Sequence, residues 1–362
     1  MKIKAILDIL QNSISFTDGK QKLLVGNDEN ELSGVLISCG VNDNVIEEAI
    51  TKRCNLLICF QPFVIKTLEK LTVENFTEQL FIKAVKSDLS VYFFCSVFRD
   101  FKKSTKILCN KLSLQDTKVL LPVHKSIKKL ITSTVPENLI KLREALFEAG
   151  AGKIGNYSNC SFNTQGIGTY MGNKCSNPNI GQKLQFIEAK ETKIEVFFDS
   201  YIQSKVLQAL FSNHVYEEVA YEIYNIETTF QNVGFGLIGQ LEKPLPLQEF
   251  LIFLKQSMNC KNLRHSTTFC KYISIVAFLS GSGSYAIKNA IEAKADVFIT
   301  SDLSYQDYSY ANGKIVLVDI GYFESKEFEK NYIFESILEN VSDSVQKIIF
   351  FSETEISLVG CM

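Results

Sequence analysis

The chain has 362 residues, enough for two or three domains, because single hydrophobic cores stop growing near about 250–300 residues. Its 46% hydrophobic and 22% charged residues are typical of a globular protein. A net charge of -2 provides no basic surface for nucleic acid, and no stretch approaches the ~20 apolar residues of a membrane span, so both partner classes are disfavoured.

Strands and helices alternate in the first third of the chain. Residues 33–40 and 55–63 form short apolar runs, and between them the pattern over 42–53 predicts a helix that begins with Asn and Asp. A helix near 74–86 and a strand over 90–98 follow. Nearly continuous apolar strands separated by helices indicate a parallel sheet that is covered on both faces.

The middle of the chain has a different pattern. A strand over 126–136 ends at a proline that can open the next helix, and a stretch rich in Gly, Asn and Ser follows at 150–172. Next come a strand over 193–199, a helix, and a strand over 220–227. This order approximates β-α-β-β-α-β and predicts a ferredoxin-like domain.

The last third returns to an α/β pattern, with predicted strands at 272–284, 296–302 and 314–321 and a final helix that starts near Ser325. A glycine-rich turn ends the first of these strands. It consists of Gly281, Ser282, Gly283 and Ser284. A strand-to-helix turn of this kind is either a phosphate cradle or a plain turn, and the fuller nucleotide-binding fingerprints are absent.

Cysteine and histidine usage also restricts the function. The ten cysteines include no C-x-x-C pair and are scattered through apolar runs, which predicts reduced core thiols in a cytoplasmic protein. Only three histidines occur, too few and too far apart for a histidine-rich metal site unless the fold gathers them.

Several segments, in order and spacing, resemble the GTP cyclohydrolase 1 type 2 homologues, also called NGG-interacting-factor-like proteins. The segments are GAGKIGNYSNCSF, HVYEEVAYEIY, GFGLIGQL, GSGS, ADVFITSDLSYQDY and VDIGYFESKEF. The resemblance covers nearly the whole chain. It implies an α/β core split into 1–124 and 236–362, with a CutA-like ferredoxin-type domain inserted at 125–235. It also implies a homo-oligomer, a toroidal hexamer with metal sites that face an internal cavity.

The resemblance implies two divalent metal ions, held by histidine and carboxylate ligands, that activate a bridging water. At the positions of the family's His-His pair this chain has Phe60 and Gln61. Arg99 replaces the ligating aspartate, and Tyr322 replaces the last histidine. Glu324 is the one retained ligand, so no metal cofactor is expected.

A compensating ion pair between Arg99 and Glu324 is predicted, because a carboxylate buried without its metals would otherwise be left unpaired. The favoured function is therefore a ring-forming scaffold or ligand-binding protein rather than a metallohydrolase. Two alternatives remain open. One is hydrolytic ring opening of GTP, the family's nominal activity, and the other is a module that binds a protein partner.

Five more polar residues are candidates for a cavity or ligand site. Gln306 replaces a further cavity histidine of the family, and Asp302 lies in the same matching segment. His214, Glu217 and Glu218 have the i, i+3, i+4 spacing of one helix face, which can hold zinc. The segment lies at the predicted turn between a helix and a strand, however, where the family does not place its metals, so a polar cluster on the surface or facing a cavity is favoured for these three.

Overall fold

The computed structural model describes residues 1–13, 22–61, 72, 74–94, 101–122, 127–155, 157–227, 234–267 and 270–354. The chain divides into two compact units. Unit 1 consists of Met1–Pro122 and Gln231–Met362, and unit 2 consists of Val123–Phe230. Unit 2 is continuous in sequence and separates the two parts of unit 1.

The first part of unit 1 alternates helices and short strands. Its elements are α1 (Ile3–Ser13), β1 (Lys22–Val25), β2 (Val35–Ser38), α2 (Asp43–Thr51), β3 (Leu56–Cys59), α3 (Phe76–Lys86), β4 (Ser90–Phe93), α4 (Phe101–Leu112) and β5 (Leu114–Pro122). Asparagine side chains cap two of the helices: Asn42 accepts a hydrogen bond from the Val45 amide, and Asn75 accepts one from the Glu78 amide. Each cap satisfies an amide that the first helical turn leaves without a partner.

Unit 2 contains two α-helices and four strands. Its elements are β6 (Ile127–Thr134), α5 (Leu139–Glu148), β7 (Phe162–Met171), β8 (Phe186–Asp199), α6 (Gln203–Asn213) and β9 (Tyr221–Ile226). The strands form an antiparallel sheet in the order β7-β8-β6-β9. Two β-α-β crossovers and this strand order make unit 2 a ferredoxin-type α+β fold, as the sequence predicts.

The second part of unit 1 returns to α/β structure. Its elements are β10 (Gly234–Pro246), α7 (Leu247–Ser257), β11 (Arg264–His265), β12 (Tyr272–Ser282), α8 (Ile287–Glu292), β13 (Val297–Ser301), α9 (Tyr305–Ala311), β14 (Val316–Asp319), α10 (Tyr322–Leu338), α11 (Asp343–Gln346) and β15 (Ile349–Phe351).

Unit 1 contains two mixed sheets. The first has the order β1-β4-β3-β2-β15, with β15, β2, β3 and β4 parallel and β1 antiparallel at one edge. The second has the order β11-β14-β13-β12-β10-β5, with β12, β13 and β14 parallel. The predicted α/β class with parallel strands is confirmed, and the antiparallel β5–β10 pair was not predicted.

Helix α10 is the central helix of unit 1. It contacts β12, β13 and β2 as well as α1 and α4, so it touches both sheets. Residues on every side of α10 are buried, among them Phe328, Tyr332 and Ile333. Because most of this helix is buried, the polar side chains on its buried positions, such as Lys326 and Glu329, must find partners inside the protein.

The structure places two elements that the sequence located only loosely. The stretch 150–172 contains strand β7, whose side chains are largely exposed, so its composition resembles that of a loop. The last long helix begins at Tyr322 instead of near Ser325. No helix within the described ranges is long and apolar enough to cross a membrane.

Candidate functional site

A cavity of about 270 Å³ lies within unit 1, beside the first two turns of α10. Its walls come from β10, β12, α4, α10 and the residues that end β3 and β4. The lining residues are Phe60, Phe93, Phe94, Thr105, Leu108, Gly234, Phe235, Gly236, Leu237, Phe278, Leu279, Ser280, Tyr285, Tyr322, Lys326, Phe328 and Glu329. We call it the α10 cavity.

The chain turns sharply into α10 at Gly321, which has a φ of 89°. The buried Asp319 carboxylate accepts a hydrogen bond from the Gly321 amide at 3.0 Å, and this fixes where the helix begins. From that start Tyr322, Lys326 and Glu329 follow at i, i+4 and i+7, so all three lie on one helix face and line the cavity.

A buried ion pair joins two of these residues. The Lys326 ammonium lies 3.1 and 3.0 Å from the two carboxylate oxygens of Glu329, and the side chains are only 10% and 3% exposed. The same ammonium lies 5.8 Å from the centroid of the Tyr322 ring. Removing two charges from water costs several kcal/mol per ion, so such a pair persists only where each charge neutralises the other.

Aromatic rings form most of the remaining wall. The rings of Phe60 and Phe94 pack edge to face with centroids 5.5 Å apart, and those of Phe278 and Phe328 do the same at 5.7 Å. All four side chains are at least 96% buried. Edge-to-face pairs are worth about 0.5–1.5 kcal/mol beyond the area they bury, so these walls are held in a defined arrangement.

The structure places the predicted metal-ligand positions in different surroundings. Phe60 and Tyr322 line the α10 cavity, whereas Gln61 and Glu324 are not among the lining residues. Glu324 is two residues after Tyr322, and residues at i and i+2 point to different sides of a helix. Its carboxylate instead lies next to Gly321. Arg99 falls outside the described residues, so the predicted Arg99–Glu324 pair stays a prediction.

Sequence reasoning missed Lys326 and Glu329. Within the segment VDIGYFESKEF, the family's metal-ligand motif ends at Glu324, before either residue. The signal that identifies both residues is the helical spacing from Tyr322, since one and two turns further along a helix that starts there lie positions 326 and 329. A helix start placed near Ser325 conceals that spacing.

Gly321 gives a testable expectation about this turn. A Cβ at Gly321 would lie 2.4 Å from a Glu324 carboxylate oxygen, in a backbone conformation that L residues rarely adopt. We expect Gly321→Ala to destabilise the protein by about 1–3 kcal/mol, measured by urea unfolding. Gly155→Ala is the control, because Gly155 also has positive φ but no described heavy atom within 4 Å. Equal effects of the two variants would show that the close approach to Glu324 is unimportant.

The Gly281–Ser284 turn, a candidate anion cradle, makes hydrogen bonds to neighbouring groups of the protein. The Gly281 amide donates to the Ser325 hydroxyl at 2.9 Å, and the Ser282 hydroxyl donates to the Asp302 carboxylate. A short 3₁₀ turn at Ser284–Ala286 follows, and α8 has only six residues. The Gly281 amide already has an acceptor, and the Asp302 carboxylate beside the turn would repel an anion. The turn is therefore better explained as a plain strand-to-helix turn than as a phosphate cradle.

The predicted His214, Glu217 and Glu218 group is not on a helix. His214 is the residue that ends α6, in an extended conformation. Its Nε2 lies 3.0 Å from the Ser133 carbonyl oxygen, and its Nδ1 accepts from the Tyr216 amide at 3.1 Å. Glu217 accepts from the Asn177 amide. The three residues therefore do not share a helix face, and both imidazole nitrogens of His214 are already in hydrogen bonds, which fits a polar cluster better than a zinc site.

Gln306 and Asp302 are exposed and do not line the α10 cavity. Gln306 lies on α9, and Asp302 follows β13 with a φ of 59°. Nearby, the guanidinium of Arg264 pairs with the buried carboxylate of Asp319, which also accepts from the Leu303 amide. These contacts join the ends of β13 and β14 and give Arg264 and Asp319 a structural role.

The α10 cavity does not fit two divalent ions. Among its described lining residues the charged groups are Lys326 and Glu329, and the carboxylate is already paired with the ammonium. No group of three or more His, Cys, Asp or Glu side chains in the described ranges is placed to hold a metal ion. The phenyl ring of Phe60 has no donor atom for a metal.

Comparisons with known proteins agree on one family. The model described as Duf34/NIF3 (NGG1p interacting factor 3) matches residues 1–356. A Bacillus subtilis protein named GTP cyclohydrolase 1 type 2 homolog is 30% identical over 341 residues, which cover 92% of this chain and 90% of that protein. A Halalkalibacterium halodurans protein of the same name is 32% identical over 298 residues, 81% and 79% of the two chains.

A solved structure is also similar. The crystal structure of a Bacillus cereus protein related to NIF3 has a TM-score of 0.84 and 27% sequence identity, and the match covers 100% of this chain and 99% of that chain. The family model, the two relatives and the solved structure therefore all match most of this chain. This chain belongs to the Duf34/NIF3 (NGG1p interacting factor 3) family.

Proposed function

We propose that this chain does not work as a two-metal hydrolase and that its α10 cavity binds a small organic ligand. The observation that carries the proposal is the buried Lys326–Glu329 ion pair. It lies in a cavity lined also by Phe60 and Tyr322, two positions where the family resemblance implies histidine ligands. At an effective dielectric constant near 20, an ammonium within a few ångströms of a divalent cation repels it by several kcal/mol.

The proposal includes the organisation of the whole protein. We assign residues 1–124 and 236–362 to the family core and 125–235 to a CutA-like insertion. The two compact units and the ferredoxin-type strand order of unit 2 support this assignment. We further propose a cytoplasmic homo-oligomer, a hexameric ring, which follows from the family resemblance.

Metal content tests the proposal directly. We expect protein purified without chelators, then incubated with zinc, manganese and iron and desalted, to retain well under one ion per chain by elemental mass spectrometry. The reason is that an imidazole and carboxylate ligand set is needed to hold such ions against dilution. Two ions per chain, released by a chelator together with any GTP ring-opening activity, would contradict the proposal.

A variant with restored ligands is the matched control for metal loading. It carries Phe60→His, Gln61→His, Arg99→Asp and Tyr322→His in a Lys326→Met, Glu329→Leu background, which does not leave Glu329 without Lys326. If this variant takes up metal and the unmodified chain does not, the loss of these ligands explains the difference. If both take up metal equally, the binding site lies elsewhere in the chain.

An exposed apolar surface on unit 2 supports self-assembly. Strand β7 is an edge of its sheet, and Phe162, Ile167 and Met171 on it are 67–69% exposed. Met171 pairs with Phe186 of β8, which is 62% exposed. Exposed apolar side chains on an unpaired strand edge are typical of an interface, and we propose that a second copy of this chain covers the face that carries Ile167, Met171 and Phe186.

Charge placed on this edge should weaken the assembly. We expect Ile167→Lys to shift the molar mass measured by light scattering toward the single chain, because a lysine cannot be buried in the interface without a partner. Ile140→Lys on α5 is the control, since Ile140 is also an isoleucine of unit 2 and is 60% exposed. An unchanged mass for Ile167→Lys would exclude the β7 edge as the interface.

A further inference from the structure

We propose that the α10 cavity binds an uncharged, planar aromatic ligand whose edge carries both a hydrogen-bond donor and an acceptor, as a carboxamide or lactam does. This inference rests on the proposed function, which assigns the cavity to a small ligand instead of metal ions. It adds the chemical class of that ligand. Size, wall chemistry and charge each contribute to it.

The size of the cavity favours a compact ligand. Its volume of about 270 Å³ lies just below the range of ligand pockets, which is about 300–1,000 Å³. A ligand of one or two rings fills such a space. The Tyr285 side chain, 62% exposed, gives the cavity an edge that reaches solvent, so a ligand of this size has a way in.

The walls favour a planar aromatic ligand. Four phenyl rings, in the edge-to-face pairs Phe60–Phe94 and Phe278–Phe328, line the space. An aromatic guest gains contacts with both, whereas an aliphatic guest gains only from the buried area. Because these four rings are almost fully buried, they lose little further freedom when a ligand enters.

The charges favour a ligand without net charge. Lys326 and Glu329 are the charged residues among the described lining, and their formal charges cancel. An anionic ligand that approached Lys326 would meet the Glu329 carboxylate within about 3 Å of the ammonium, and a cationic ligand that approached Glu329 would meet Lys326. Either would lose its hydration without gaining a free counter-charge.

The same pair favours a ligand with one donor and one acceptor. An ammonium offers N–H donors and a carboxylate offers acceptor oxygens, side by side on one helix face. An amide edge presents a carbonyl to the first and an N–H to the second, so it can join the pair without disrupting it. Hydrogen bonds to charged groups are worth about 1.5–3 kcal/mol each, enough to dominate the choice between ligands of equal shape.

Three ring compounds of nearly equal shape test this inference on the unmodified protein. Benzamide, benzoate and benzamidinium share one ring and differ in charge, and ligand-observed NMR titration gives a Kd for each. We expect benzamide to bind at least about tenfold more tightly than either ion, a difference of ~1.4 kcal/mol. Equal or tighter binding of benzoate or benzamidinium would overturn the inference.

A double variant shows whether the ion pair recognises the amide. Lys326→Met together with Glu329→Leu keeps the cavity similar in size and removes both members of the buried pair. We expect benzamide to bind this variant about tenfold more weakly, while toluene binds no more weakly than before. Unchanged benzamide affinity in a folded double variant would contradict recognition by the pair.

The outcomes also separate this inference from the proposed function. If none of the three compounds binds and the protein holds no metal, the ligand class is wrong while the absence of a two-metal centre stands. If the protein instead retains two metal ions per chain, the proposed function itself is wrong.

Discussion

Replacing Lys326 with methionine is expected to lower the free energy of unfolding by about 3–5 kcal/mol, because the Glu329 carboxylate would stay buried without this ammonium. The side chains are only 10% and 3% exposed, so water cannot take over the role of the lost partner. Urea unfolding at neutral pH, followed by far-UV circular dichroism, measures the change.

Two further variants make this prediction specific. Lys288 pairs with Glu292 at 3.7 Å, but both side chains are more than 60% exposed, so Lys288→Met should cost less than about 1 kcal/mol. The double variant Lys326→Met with Glu329→Leu should recover most of the lost stability, since apolar side chains often replace a buried ion pair without loss. If Lys326→Met lowers the free energy of unfolding no more than Lys288→Met does, the prediction is wrong, because the Lys326–Glu329 pair then contributes no more than an exposed pair.

Replacing Glu48 with glutamine is expected to cost about 3 kcal/mol at pH 7. Glu48 is 7% exposed, and its carboxylate accepts hydrogen bonds from the Ser352 hydroxyl and the amides of Glu353 and Thr354. It also pairs with Lys52 at 2.7 Å. Burial by itself would raise the pKa of Glu48, but these partners outweigh it and lower the pKa from 4.5 to about 2.

Because the pKa of Glu48 is lowered in the folded protein, its contribution to stability falls as the pH falls. The folded protein releases the Glu48 proton more readily than the unfolded chain does, so the contribution is fully present above pH 4.5 and is lost as the pH falls toward about 2. Wild type and Glu48→Gln should therefore converge in stability over that range. Glu47→Gln is the control, because Glu47 is 67% exposed in its pair with Lys83. A constant gap between wild type and Glu48→Gln down to pH 2 would contradict the assignment.

Parts of the fold with a strong hydrophobic pattern were predictable from the sequence. Strands β2, β3, β13 and β14 are mostly apolar, and every residue in them is buried. Strand β7 could not be placed because it is an exposed edge strand in which polar residues and two glycines interrupt the apolar ones, a composition shared with loops. Strand β10 was missed for a related reason, since it contains three glycines and two prolines.

The site was predictable only in part. Motif resemblance identified Phe60 and Tyr322, which do line the cavity. It selected Glu324, which faces elsewhere, because a linear motif does not show which side of a helix a residue occupies. Lys326 and Glu329 look like ordinary surface charges of a helix in the sequence. Their importance depends on burial, which the packing of α10 between two sheets determines.

The position of β15 has a consequence for the order in which the protein forms during synthesis. This strand pairs with β2, and Ser352 beyond it bonds Glu48, 304 positions earlier in the chain. The first sheet therefore cannot be completed until residues near 350 have left the ribosome. At roughly 5–20 residues per second, the stretch after unit 2 takes on the order of 10 s to translate. During that interval the continuous unit 2 can already be folded, while the open edge of β2 is exposed and a target for chaperones.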